Sequence, residues 1–540
     1  MRLTLTRRRR LRARVASQAG FTMIVALGVM LVTGLLLTAA FTAVMGDANM
    51  AHEDLAQKQA YYAALAGVQA YEYQLERNPD YWESCEKINE TQPGESNTRY
   101  EVELLVATTA PAGVKACSTV KPFESVIESK GNASNTFRVK ATGYAGKNQR
   151  TLIATFGVKG FLDYVYFTRY EEEDPTLDSA SLEKCSQERN EGRLAYEEAR
   201  EKKGESEPCG PTIEFAPEDS VRGPMHTDDA AAVCEKPEFG RKSRLEEGLP
   251  DAVEIRGGTY AAGFGCANSA IFNTKSGKAE TGEEAEILVP PEEDTSLESY
   301  VESGYEFEGA TTLELEGDEV KVTNAHYNGG KAKKIALPKN GLIYVKSLSS
   351  PACEYKYEQT SSDTAADIEK EVPCGTAYVK GDYGESLTIG AEREIVIKGS
   401  LTPAGVTPPA TDHLPSSELP GTATLGLIAT KFIRLYHPCT GGAGSSKEEG
   451  IHDPWIDAAV LSTSHSFLVD NYNCGKQLGY LNTDGAIAQN FRGIVGLVGE
   501  TGYLKNYNYD ERLATDEPPY FLAPLKAGWR IIRETAPTGG

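Results

Sequence analysis

Seven histidines, His52, His226, His326, His413, His437, His452 and His465, are the first places to look for acid–base or metal chemistry in this chain of 540 residues. His226 precedes Asp228 and Asp229, and His452 directly precedes Asp453, spacings that can pair an imidazole with a carboxylate. Both groups stand in Gly- or Pro-containing stretches, where such residues usually serve turns and caps. Asp470, Asn471, Asn473, Asn482 and Asp484 offer oxygen atoms of the kind Ca2+ takes, but their spacing departs from the EF-hand loop, and turn chemistry is the expectation. No H-E-x-x-H, G-x-S-x-G, P-loop or dinucleotide fingerprint occurs. The expected reading is a non-enzyme with no catalytic residues, no metal and no cofactor.

Cysteine chemistry is the stronger signal. Cys85, Cys117, Cys185, Cys209, Cys234, Cys266, Cys353, Cys374, Cys439 and Cys474 form an even set, all beyond the apolar N-terminal segment. No C-x2-C pair exists to suggest zinc, so disulfides in an oxidising compartment are expected. The sequence leaves connectivity open. Neighbour pairing (85 with 117, 185 with 209, 234 with 266, 353 with 374, 439 with 474) is the simplest scheme, each bond contributing about 2–4 kcal/mol.

The elements that must carry these residues begin with two contrasting surroundings. Residues 1–20 hold seven arginines and no acid, while the whole chain has a formal charge of −23, which leaves −30 on the remainder. So acidic a body repels phosphate backbones, and nucleic-acid binding by the chain alone is not expected. From Phe21 to Gly46 no residue is charged, enough for a helix of about 39 Å that crosses a bilayer core with some tilt. The arginines place residues 1–20 in the cytoplasm and the C-terminus outside, a single pass. Helical spacing continues through Tyr61, Leu65, Val68, Tyr71 and Leu75 and stops at Asn78-Pro79.

The basic stretch reaches Ser17-Gln18-Ala19-Gly20-Phe21-Thr22-Met23-Ile24 before hydrophobicity begins, so a cut would fall ahead of the apolar helix, unlike an ordinary signal peptide. Gly20-Phe21-Thr22-Met23-Ile24 resembles the type IV prepilin signal. The resemblance implies cleavage after Gly20 by a prepilin peptidase and methylation of Phe21. It also implies packing of the freed helix against other pilins in a filament. Gln59-Ala60-Tyr61-Tyr62-Ala63-Ala64-Leu65-Ala66-Gly67-Val68 is similar to the second half of that helix in PilX-type minor pilins. Major pilins carry Glu as the fifth mature residue; here that position is Val25, which suits a filament tip better than its repeat.

Strands are expected at 99–107, 136–142 and 150–158, a small pilin-like antiparallel sheet on the helix. Residues 166–210, dense in Glu, Lys and Arg, read as a charged insertion. From Thr212 onward short β-rich runs recur between Gly, Asn, Asp and Pro turns, tightening at Gly341–Val345, Ala377–Asp382, Ser386–Gly390 and Glu394–Gly399. Short strands ending in Gly favour a parallel β-helix, with an antiparallel sandwich as the alternative. Val221–Asp228, Tyr378–Asp382, Gly426–Ala429 and Tyr509–Leu513 through Pro518-Pro519-Tyr520-Phe521 and Trp529 resemble a family of uncharacterised bacterial proteins. Those pair a PilX-like N-terminus with a β-helical C-terminal domain.

The expected architecture is therefore α+β: a leader at 1–20, a transmembrane and pilin helix at 21–77, a pilin-like sheet at 78–165, the insertion at 166–210 and an extracellular β-helix (solenoid) at 211–535. The expected role is a minor pilin or pseudopilin-like component of a type IV pilus or related filament. Its partners would be other pilins, the prepilin peptidase and, before assembly, the inner membrane; afterwards it would lie in a cell-surface filament with the β domain as a capping or adhesive surface. The alternative from another class is a membrane-anchored β-helical enzyme or binder acting on extracellular carbohydrate.

Overall fold

The computed structural model describes residues 19–535 apart from 79–80, 92–96, 109, 111–112, 118–124, 128–135, 159, 178–212, 218, 263–264, 283–284, 286, 355, 358–371, 407–420, 447–449, 515 and 526–528. Its first element is one continuous helix, α1 (Ala19–Arg77), about 88 Å long at 1.5 Å per residue. The helix has two halves with different surroundings. Met23–Thr42 is apolar and wholly exposed, whereas Ala60, Ala63, Ala64, Val68, Tyr71 and Leu75 are buried. That second stripe recurs every three or four residues, so it faces one side and packs there.

It packs on strands β1 (Ile88–Thr91), β2 (Thr98–Leu104), β3 (Thr136–Ala145) and β4 (Asn148–Val158), paired antiparallel in that order. Tyr71 meets Phe156 at 5.7 Å and Phe137 at 6.1 Å between ring centres, and Trp82 closes the same core. Close approach is possible because small residues line both surfaces. A Cβ on Gly143 of β3 would overlap the backbone of Ala60 and Ala64. We expect Gly143→Ala to cost about 1–3 kcal/mol, the usual cost of overpacking, read as a lowered midpoint in chemical denaturation; an unchanged midpoint would rule out this contact as a constraint.

A fifth strand, Trp529–Thr535, completes this sheet by pairing antiparallel with β4. The end of the chain therefore returns to the head sheet. The expected domain of 211–535 loses its last strand to the head. It gains one earlier: Tyr166–Tyr170, expected in the charged insertion, is a strand of the large β region. Everything between β4 and Trp529 is an insertion between two neighbouring strands of the head.

That insertion is a large mainly-β region with a curled sheet of 22 strands among the described residues. One parallel ladder runs, in spatial order, through Glu306–Glu308, Leu342–Lys346, Leu387–Ala391, Leu425–Ala429, Ala459–Ser462, Gln477–Phe491, Tyr166–Tyr170, Met225–Thr227 and Val253–Ile255. Register places Ile343, Ile389, Leu427, Val460, Ile487, Tyr166, Met225 and Val253 in one inward column, and all eight lie in the main core. A second parallel ladder carries Leu313, Val379, Ile397, Leu435 and Val469 in register, again inward. Strands of the first ladder such as Leu342–Lys346 and Leu425–Ala429 are continuous apolar runs because both of their faces are covered, whereas Thr311–Gly317 of the second ladder alternates.

Chain order and spatial order differ. The first strand of the insertion, Tyr166–Tyr170, stacks on its longest, Gln477–Phe491, so the chain enters the stack in its middle. After winding outward through residue 280 it must travel back to Glu306 at the far end. Residues 285–302 make that journey across the outer face of the first ladder. Leu288 N–H donates to Asp228, Thr463 and Ser464 donate to the Glu292 carbonyl, Asp294 N–H donates to Thr430, and Asn340 N–H donates to Glu302. Leu288 and Leu297 of this strap, with Leu513 and Phe521 from near the C-terminus, cover Tyr344, Ile428, Leu461 and Phe167, the outward side chains of the ladder.

Four of the expected cysteine pairs are bonded: Cys85–Cys117, Cys234–Cys266, Cys353–Cys374 and Cys439–Cys474, with Cα separations of 5.8, 4.6, 4.8 and 5.9 Å. The expected pair of Cys185 and Cys209 lies outside the described residues.

Candidate functional site

The exposed half of α1 is the most distinctive surface. Met23–Thr42 has a mean hydropathy of 2.4 and none of it is buried, a span of about 30 Å, the thickness of a bilayer core. Its polar side chains are self-satisfied: the hydroxyls of Thr33, Thr38 and Thr42 donate to the carbonyls of Val29, Gly34 and Thr38, one turn back. Such back-bonding lets threonine sit in an apolar medium without an orphan donor. Val25 is half exposed, and no acidic residue lies within the uncharged run from Phe21 to Gly46. Gly20 and Phe21 are helical, and their side chains are outside the described set.

The histidine candidates resolve differently. His226 is fully buried on the outward column of the first ladder, stacked on Phe167 at 5.6 Å. Its Nδ1 lies 2.6 Å from Glu254 Oε2 and its Nε2 2.9 Å from Asp228 Oδ1. Burial works against the charged ring, but the two carboxylates outweigh it and hold the imidazole above its ordinary range. With both nitrogens engaged by carboxylates, the ring has no nitrogen left to abstract a proton or bind a metal. Tyr164 OH donates to Glu254 as well. Asp229, expected beside His226, instead accepts from the backbone N–H groups of Glu171 and Ala230. His452 is exposed, and Asp453 accepts from Tyr480 N–H from a left-handed backbone conformation, a turn role.

The oxygen-rich set does not converge. Asp470 pairs with Arg434 at 3.0 Å and accepts from Tyr357 OH, Asn471 donates to the His437 carbonyl, and Asn482 accepts from Asn506 across the ladder. Asn473 is exposed. Asp484 lies elsewhere, beside Asp457, Asp510 and Arg512; burial first, then the charge of Asp510, pushes its carboxyl up to about 7. Burial, then the charges of Asp484 and Asp510, raises Asp457 well above its ordinary range, and its Oδ1 has no hydrogen-bond partner among the described residues. Glu214, Cys234 and Cys266 come within ligating reach of one another, but the two sulfurs are spent in a disulfide.

Sequence reasoning missed the charged residues that close the stack. Arg492, fully buried, donates to Glu171 at 2.8 Å and to the carbonyls of Ile213 and Glu214, with its guanidinium 3.7 Å over the Phe215 ring. Lys505 pairs with buried Asp219 at 2.7 Å. Both pairs join residues near the start of the insertion to residues near its end. No local signal marks them, since the partners are about 300 residues apart.

No protein-family model matches the chain, and no curated protein is similar to it. Among solved structures, the competence-associated pilin ComZ from Thermus thermophilus aligns over 89% of this chain and 97% of its own, at 11% identity and a TM-score of 0.27.

Proposed function

We propose that this chain is a minor pilin or pseudopilin-like component of a type IV pilus or related filament, held in the cytoplasmic membrane by α1 with its C-terminus outside before assembly. The observation that carries the reading is α1 itself: one unbroken helix whose first half is apolar and bare while its second half packs on an antiparallel sheet. A helix built for a bilayer alone has no need of that continuation, and a soluble core helix would not leave 20 apolar residues uncovered. The Gly20-Phe21 junction and the Ala60–Val68 run, which resemble pilin motifs, support the same reading.

Cleavage after Gly20 removes seven positive charges and frees the helix to pack among others. Val25 in place of the pilin glutamate, together with the bulk of the insertion, favours a low-copy place at or near the tip. The inserted region winds as a parallel β-helix entered at its middle, a reading supported by the two in-register parallel ladders, and it presents a capping or adhesive surface without catalysis.

Sequencing of the native N-terminus is expected to return methylated Phe21 in cells with an active prepilin peptidase; a retained leader there would sink the proposal. Immunogold labelling of sheared filaments is expected at their ends. Uniform labelling would refute the tip position alone.

A further inference from the structure

The outer face of the second ladder holds a cavity of about 380 Å³ near its Glu306 end. Thr312 and Tyr378 lie opposite one another in register, Thr323 faces Thr312 across the following hairpin, and Lys398 and Tyr436 rise from the next two coils. The Lys398 Nζ lies 4.2 Å from the centre of the Tyr436 ring and 5.3 Å from that of Tyr378. Thr312 and Tyr378 stand on strands paired on both edges, which fixes their spacing; Lys398 lies at the register shift of its strand, and Tyr436 directly follows the end of Ile433–Leu435. In a chain of net charge −23, Lys398 places an ammonium group in this cavity.

We propose that this cavity binds a sugar ring bearing a carboxylate, as a unit of an acidic glycan. A pyranose presents a C–H face that lies against tyrosine rings. Its hydroxyls match the two threonine hydroxyls, which donate and accept. Its carboxylate meets the Lys398 ammonium held between the rings, a charge-assisted hydrogen bond. The volume falls in the lower part of the range for small-molecule sites. A phosphate ligand is favoured less, because no arginine fork lines the cavity. The site gives the outward surface proposed above a ligand class and rests on that reading only for meeting a glycan outside the cell; binding by the purified chain does not depend on it.

The test is calorimetric titration of the full chain in detergent with trigalacturonic acid, its methyl ester and neutral galactotriose. Binding of the acid is expected, with the ester, the neutral sugar and the Lys398→Gln variant each at least about tenfold weaker. Tyr436→Ala should weaken it similarly. Lys242→Gln, on a remote exposed helix, should leave it unchanged, and a melting curve for every variant establishes that it is folded. No binding by the folded wild type overturns the proposal, as does equal affinity for the ester or by Lys398→Gln. A retained leader or uniform filament labelling would leave this result untouched and strike only the pilin reading.

Discussion

The chain is expected to lose stability as pH rises from about 4 to about 8, although acidic proteins of this size are commonly handled at neutral pH. Asp294 in the strap is the clearest cause. It is wholly buried, accepts from Thr430 and Tyr344 hydroxyls at 2.9 and 3.1 Å, and has no hydrogen-bond partner for Oδ2 among the described residues. Burial pushes its carboxyl up to about 7, against the partial relief of those two hydroxyls. Between the unfolded value near 4 and 7, the folded chain holds a proton that the unfolded chain has released. Stability therefore falls with pH across that window and levels off above it, by on the order of 4 kcal/mol for this group.

Other buried groups add with the same sign. Asp484 is also pushed up to about 7, and Asp457 is raised. His226 is held above its ordinary range, so the stability it contributes is full below about 6.5 and is lost as pH passes its folded value. Glu103 and Glu314, lowered chiefly by hydrogen bonds from lysines, act in the opposite sense, but both are largely solvent-accessible and their pairs are worth little. Urea denaturation at pH 5 and pH 8 should show a higher midpoint at pH 5. Asp294→Asn, which mimics the protonated acid, should flatten the difference and raise stability at pH 8. A wild-type midpoint that rises with pH would refute the assignment.

Replacing Arg492 with Met is expected to destabilise the inserted region by about 3–5 kcal/mol, the cost of leaving one buried charge without its partner. Glu171 would keep only its contacts with Tyr166 and Thr168, and the Ile213 and Glu214 carbonyls would lose their donor. The effect should be concentrated where Tyr166–Tyr170 meets Gln477–Phe491, so protease cleavage near that seam should accelerate first. Combining Arg492→Met with Glu171→Gln should cost less than the sum of the two single changes, because the second removes the stranded charge. A loss below about 1 kcal/mol for Arg492→Met would mean that the ladder hydrogen bonds close the seam without it.

Helix α1 was legible because its signals are local. An uncharged run from Phe21 to Gly46, alanines and aromatics at helical spacing, and a stop at Asn78-Pro79 specify the element without reference to the rest of the chain. The head strands were legible for the same reason, as β2, β3 and β4 end within three residues of the expected limits. The four bonded cysteine pairs join neighbours in sequence, and simple pairing of neighbours anticipated them.

What the sequence could not carry is order in space. Tyr166–Tyr170 precedes an acidic run and reads as the edge of a solvated insertion, yet Glu171 is buried because Arg492 neutralises it from 321 residues away. Trp529–Thr535 falls within the expected β domain of 211–535, yet its pairing partner is β4. Strand period fixes which faces are apolar, and every apolar strand of such a stack offers the same kind of face. Which strand lies beside which is chosen by long-range register and by a few buried charges, and these exist only once the chain has folded. By itself the sequence determined the membrane-length helix, three of the five head strands and the β character of the rest; tertiary structure alone decided the other two head strands, where the stack begins, what covers it and how its ends are joined.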